Sequence, residues 1–204
     1  MHSYSTDVSR LKIISKIGTA SFLASILLIN FFDTIIQKII MWIPYLDKTP
    51  YISSLAIFGC IFALFYFLFD KVLWNVTVKG ISVSKTPDLT GEWKGYVVSK
   101  CEGKTTKTDV TVEIEQTWTS ISITLKTTAS RSRSAAASIF TSESQLVYYY
   151  FNVPRSTTVE SMHKHYGVTT LNIIGNSKLE GEYFNCPDRG TYGDIFIEKV
   201  QKVH

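Results

Sequence analysis

The sequence predicts two N-terminal transmembrane α-helices followed by an all-β, antiparallel, eight-stranded up-and-down barrel, minimal and lipocalin-like in size. Three observations carry that prediction. Two long uncharged runs lie in the first third of the 204 residues. No convincing helical period follows Val76. Instead, short runs rich in Val, Ile, Thr, Tyr and Phe recur, broken by turn residues every 10–12 positions. The expected division is 1–80 for a membrane-spanning helical hairpin and 81–204 for the barrel.

The first uncharged run is Ile17–Phe32, sixteen residues, or twenty from Ile13 if Lys16 snorkels to the interface. The second is Ile52–Phe69, eighteen residues, closed by Asp70 and Lys71 and flanked by Tyr51 and Trp74 as interfacial anchors. Both approach the roughly 20 residues a spanning helix requires. A cleaved signal is disfavoured, because sixteen residues precede the first run and no small-residue cleavage site follows it. Arg10, Lys12 and Lys16 before the first span, and Lys71 and Lys79 after the second, place both ends in the cytoplasm with a short hairpin outside. Between the spans, Ile35, Ile36, Ile39, Ile40 and Ile43 keep helical spacing, so the first helix is expected to run on towards Pro44. Asn30, Asp33, Thr34 and Gln37 then share one face, either an interfacial surface or a polar seam facing other helices in an assembly.

The strand runs are 89–99, 108–118, 120–129, 135–143, 145–153, 165–174, 178–185 and 191–200. Hairpin-linked runs in series suggest an up-and-down barrel, with a sandwich as the alternative. Alternation assigns faces by sending charges to water. Trp93, Gly95 and Val97 point in, opposite Glu92 and Lys94. Val112, Ile114, Gln116 and Trp118 point in, opposite Glu113 and Glu115. The same logic turns Ile121, Ile123, Leu125, Thr127, His165, Gly167, Thr169, Leu171 and Ile173 inward. It does so too for Leu179, Gly181, Tyr183, Asn185, Thr191, Gly193, Ile195 and Ile197. The run 145–153 reads either way; an inward Asn152 brings Tyr148 and Tyr150 with it.

Along the axis the inward polar residues Thr127, Asn152, His165, Asn185 and Thr191 gather at one end, while Trp, Leu, Ile and Val fill the other. The helices enter the first strand at the apolar end, so the polar mouth is expected to face away from the bilayer. The hairpins at that mouth (99–109, 129–134, 153–165, 185–191) hold Lys100, Lys104, Lys107, Arg131, Arg133, Arg155, Lys164 and Arg189 against Glu102, Asp109, Glu160 and Asp188, a net +4. A cup with a polar mouth and positive rim suits a small anion bearing base or sugar groups. Arg forks hold phosphate oxygens in pairs, and an aromatic such as Tyr150 stacks on a base. The competing reading is an interior plugged by its own side chains beneath a solvated, incidentally basic loop end.

A net charge of +4, dispersed along the chain, excludes a DNA- or RNA-coating protein. Cys60, Cys101 and Cys186 cannot complete a disulfide framework, and read as reduced thiols. Glu160, His163 and His165 have metal-ligand side chains, but no fourth ligand or helical frame accompanies them. No nucleophile–base–acid set can be assembled by spacing, so neither an enzyme nor a cofactor or metal is expected.

Several segments occur together: Asp88–Lys100 (DLTGEWKGYVVSK), Gln116–Ser138 (QTWTSISITLKTTASRSRSAAAS), Tyr149–Pro154 (YYFNVP), His165–Gly167 (HYG), and Gly181–Cys186 with Arg189–Ile195 (GEYFNC, RGTYGDI). With two preceding membrane helices, they resemble the two-transmembrane, β-strand-rich effectors of bacterial CBASS antiphage defence. That resemblance implies a barrel that binds a cyclic di- or trinucleotide made by a partner synthase on infection. It further implies a protein that forms a homo-oligomer in the lipid bilayer, disrupts the membrane and kills the cell. Position within the matching segments points to Arg131, Ser132, Ser134, Tyr150, Asn152, His165, Asn185, Arg189 and Thr191 as ligand contacts. The alternatives are a lipocalin-like carrier of an apolar ligand and a membrane scaffold without ligand gating.

Overall fold

The computed structural model describes residues 1–42, 50–78, 81–101, 103–154, 165–186 and 190–201. The chain forms two compact units, Ser9–Leu73 and a second made of Met1–Val8 with Trp74–His204. The first eight residues thus group with the β unit, and the units meet in sequence at 73/74, near the division expected at 80/81.

The helical unit holds α1 (Arg10–Met41) and α2 (Pro50–Lys71). The isoleucine spacing does carry α1 beyond Phe32. The side chains of Asp33, Thr34 and Gln37 lie outside the described residues. Arg10–Phe31 and Ser54–Lys71 are each long and apolar enough to cross a bilayer. Gly18 lies opposite the Phe62 ring, and Phe22 meets Phe58 edge-on at 6.5 Å between centroids. Ser21 and Ser25 are buried, with hydroxyls donating to the Ile17 and Phe22 carbonyls. Small residues on such a face let apolar helices approach closely. Leu23, Leu27, Phe31, Leu64 and Phe67 stay exposed, as expected of helix surfaces whose solvent is lipid.

The β unit contains, in chain order, β1 (His2–Ser3), β2 (Ser5–Thr6), a 3₁₀ turn at Leu73–Asn75, the ribbon β3 (Thr77–Val78) and β4 (Ile81–Ser82), and then β5 (Gly91–Cys101), β6 (Lys104–Gln116), β7 (Ser120–Lys126), β8 (Ser130–Phe140), β9 (Gln145–Pro154), β10 (His165–Ile174), β11 (Lys178–Asn185) and β12 (Tyr192–Lys199). β5 to β12 pair in sequence, all antiparallel, and β12 returns to β5, so the sheet closes as an eight-stranded up-and-down barrel. The inward faces follow the alternation, and the ambiguous run resolves with Tyr148 and Tyr150 buried.

The seam between β7 and β8 departs from expectation. These strands share only three rungs, Thr124↔Arg133, Leu125↔Ser132 and Lys126↔Arg131. Ser134 opposes Tyr150 while Ala136 opposes Tyr149, so Ala135 is an extra residue in β8. This bulge switches the buried side from Ser130, Ser132 and Ser134 to Ala137 and Ile139. The fourth strand accordingly begins at Ser130, not at 135.

Below the three rungs β7 and β8 splay apart, and the N-terminus fills the slot. β1 pairs antiparallel with β7 (His2↔Ile121, Ser3↔Ser120), and β2 pairs parallel with β8 (Ser5↔Ser138, Thr6↔Ile139). Tyr4 between them is 3% exposed and joins Leu89, Trp93, Ile121 and Ile139 in the core. Its hydroxyl donates to the Trp118 carbonyl at 2.9 Å and accepts from the Gln116 amide at 3.4 Å. Gln116 in turn accepts from Leu89 N–H at 2.9 Å, and the Trp93 indole donates to the Leu89 carbonyl at 2.9 Å. The apolar half is thus sealed by packed side chains whose polar atoms are satisfied.

Candidate functional site

The opposite half of the barrel is hollow. A cavity of about 180 Å³ opens between the mouth hairpins. Ser99, Thr108, Thr127, Ser130, Ser132, Thr169 and Thr191 give it hydroxyls, Asn152 and Asn185 give it carboxamides, and Tyr148, Tyr150, Tyr183 and His165 complete the polar lining. Val97, Leu125 and Ile195 form its apolar base. Among the described residues no Lys, Arg, Asp or Glu lines it. This is a neutral pocket rich in donors and acceptors, and the plugged-interior alternative fails in this half.

Pairing register sets the geometry. His165 lies opposite Asn152, and Gly167 opposite both Tyr150 and Asn185. The Tyr150 hydroxyl donates to Asn185 Oδ1 at 2.7 Å. Gly167 makes that contact possible: a β-carbon there would sit 2.6 Å from the Tyr150 hydroxyl oxygen and 2.3 Å from the Phe184 carbonyl. Asn152 Nδ2 and His165 Nε2 are 3.1 Å apart, within hydrogen-bond distance. Asn152 Oδ1 is buried and has no hydrogen-bond partner among the described residues. An acceptor left unbonded in a pocket wall is costly unless something donates to it. Tyr183 donates to Ser99 across the cavity. Burial pushes the Tyr148 hydroxyl up to about 12, so it remains protonated throughout the physiological range.

Of the expected contacts, Ser132, Tyr150, Asn152, His165, Asn185 and Thr191 converge on this cavity. Ser134 does not line it. Its hydroxyl accepts from Ile123 N–H at 2.9 Å and meets His2 Nε2 at 2.8 Å, pinning the β7–β8 seam and the N-terminus. Arg131 does not line the cavity either. It lies within β8 and points outward with Arg133, because Ser130, Ser132 and Ser134 take the inward positions. Arg189 lies outside the described residues, as do Arg155, Lys164, Glu160 and His163. At the rim Lys100 pairs with Asp194 at 3.8 Å, and Lys107 sits 3.6 Å from the centroid of the Tyr96 ring. Among the described residues no group of His, Cys, Asp and Glu could hold a metal. Thr127, Tyr148, Thr169 and Tyr183 were legible as inward but not singled out as contacts. Ser99 simply continues the alternation of Trp93, Gly95 and Val97.

Comparison with known proteins fits this geometry. Residues 84–199 match the family model described as the Cap15 cyclic dinucleotide receptor domain, and residues 11–75 match the model for the Cap15 TM helices. The chain is 35% identical over 154 residues to CD-NTase-associated protein 15 of Yersinia aleksiciae, covering 74% of this chain and 73% of that one. The order of elements agrees as well, with two apolar helices preceding a closed barrel hollow at one end. The chain therefore belongs to the Cap15 family, the CBASS effectors that join two transmembrane helices to a cyclic dinucleotide receptor barrel.

Proposed function

We propose that the hollow end of the barrel receives a cyclic dinucleotide, and that its binding drives the chain to assemble in the bacterial inner membrane and breach it. The observation that carries the binding half is the neutral polar cavity, with the unbonded Asn152 carbonyl oxygen beside His165 and the Tyr150–Asn185 pair at its wall. Its volume of about 180 Å³ is below the roughly 300 Å³ of a pocket that encloses a drug-sized ligand. One base, with part of its sugar, enters. The phosphates stay at the mouth, where Arg189, Arg155 and Lys164 are within a few residues of the lining strands. A neutral interior suits this division, because bases are read by hydrogen bonds and stacking while phosphate is held by Arg and Lys.

The N-terminal strap supports a route from cavity to membrane helix. Ser130 and Ser132 of β8 and Leu125 of β7 line the cavity directly above the slot that holds His2–Thr6. A ligand that draws β7 and β8 together acts on that slot, and four residues after Thr6 the chain begins α1 at Arg10. The Lys/Arg distribution supports cytoplasmic termini and barrel, the compartment in which a cytosolic synthase would release the ligand.

The test is titration of the full-length protein in detergent micelles with labelled cyclic di- and trinucleotides, followed by size measurement and dye leakage from reconstituted vesicles. Saturable binding with growth in particle size and leakage is expected. Binding with neither would confine the barrel to sensing, and no binding would leave the scaffold alternative.

A further inference from the structure

The outer wall of the barrel carries a feature that ligand binding does not use. At one level across β9 to β12, Phe151, Tyr166, Val168, Phe184 and Tyr192 form a continuous belt, since Phe151 pairs with Tyr166, Val168 with Phe184 and Phe184 with Tyr192. Phe151, Tyr166, Phe184 and Tyr192 are 52%, 48%, 50% and 51% exposed. Side chains of this size gathered in one exposed patch mark an interaction surface rather than scattered surface apolarity. The belt is flanked by charge of both signs. Arg133 pairs in register with Phe151 at one side. One step nearer the sealed end, Glu182 pairs with Asp194, and both line a groove of about 350 Å³ with Glu180 and Phe196. Glu180 is engaged by Lys178 at 2.7 Å and Asp194 by Lys100 at 3.8 Å, whereas neither Arg133 nor Glu182 has an ion-pair partner among the described residues.

We infer that this wall is the surface through which one barrel docks on a second copy of the same chain, the aromatic belts forming the dry centre and Arg133 of one copy meeting Glu182 of the other. This deepens, and rests on, the assembly step proposed above. The charges choose the occupant. An anionic lipid surface would be attracted at Arg133 but repelled by the carboxylates beside it, while a wall bearing both signs complements itself. Aromatic side chains are also what the desolvated centres of protein interfaces concentrate.

The test uses the full-length chain in detergent and compares wild type with Arg133→Glu, Glu182→Arg and the double reversal, measuring cyclic dinucleotide binding and particle size separately. At protein concentrations too low for assembly, all four proteins are expected to bind ligand within about twofold of one another, because both positions point away from the cavity. Each single reversal places like charges together and is expected to weaken assembly about tenfold or more. The double reversal restores opposite charges and is expected to recover assembly. Single variants that assemble like wild type, or a double variant no better than the singles, would overturn the pairing. Wild-type protein that binds ligand without assembling would instead count against the assembly step itself.

Discussion

At the residue scale the account turns on a few polar atoms in a neutral wall. Asn152 is the sharpest case, since its unbonded oxygen predicts a donor from the ligand. Asn152→Ala should weaken cyclic dinucleotide binding by about 1 kcal/mol, five- to tenfold, as read by titration, with the melting temperature unchanged or slightly raised. Gly167→Ala should behave differently: the added methyl meets both the Tyr150 hydroxyl and the Phe184 backbone carbonyl. It should destabilise the barrel by about 1–3 kcal/mol in denaturant unfolding as well as impair binding. Tyr148 sets an alkaline limit. Its hydroxyl ionises near 10 in the unfolded chain but only near 12 when buried, so its contribution is complete below pH 10 and is lost as pH rises towards 12. A Tyr148→Phe variant followed by thermal unfolding should lose less stability than wild type between those limits. At this scale the sequence is informative about direction and poor about partners. Ser-Arg-Ser-Arg-Ser alternates strictly, with Arg to water and Ser to the interior, so Arg131 was readable as outward once the strand was extended to Ser130. That Ser134 serves His2 was not readable, because that link spans more than a hundred residues.

At the element scale, the faces of six of the eight barrel strands follow from period-two alternation, because charged residues leave only one side free to face the core. The bulge at Ala135 hid the true start of β8: three consecutive alanines carry no polarity signal, and the register changes among them. The strap was hidden for another reason. His2–Thr6 is a short polar stretch with one aromatic, and its pairing is decided by a slot formed from residues over a hundred positions away. Its anchors predict its strength. Asp7 accepts from Thr141 N–H at 2.9 Å, the Thr141 hydroxyl at 2.8 Å and Ser142 N–H at 2.9 Å, capping the β8–β9 turn. The Ser142 and Thr141 backbone bonds hold its carboxyl well below the usual range, so the cap is intact at neutral pH and fails only as pH falls far below 3.8. Tyr4→Ala removes a buried ring from the sealed end and should cost about 3–5 kcal/mol, with faster amide exchange in β7 and β8 above all. Equal exchange in wild type and variant would show the strap to be dispensable.

At the scale of the whole molecule, a receptor barrel and two membrane-crossing helices share one short chain, and the strap makes the first residues part of the receptor. Shifting a two-state switch from 1:99 to 99:1 requires about 5.5 kcal/mol of differential affinity between the two states. The class of molecule was legible from the contrast between the apolar first third and the alternating remainder. The emptiness of the mouth half was not, because the same inward Thr, Asn and Tyr residues could have filled it. The most direct measurement is titration of the full-length protein with a labelled cyclic dinucleotide, wild type beside Asn152→Ala and Arg131→Ala. The account predicts saturable binding that Asn152→Ala weakens five- to tenfold and the outward Arg131→Ala leaves within about twofold. Binding lost in Arg131→Ala and untouched in Asn152→Ala would contradict it, and would move the site from the barrel's interior to its outer wall.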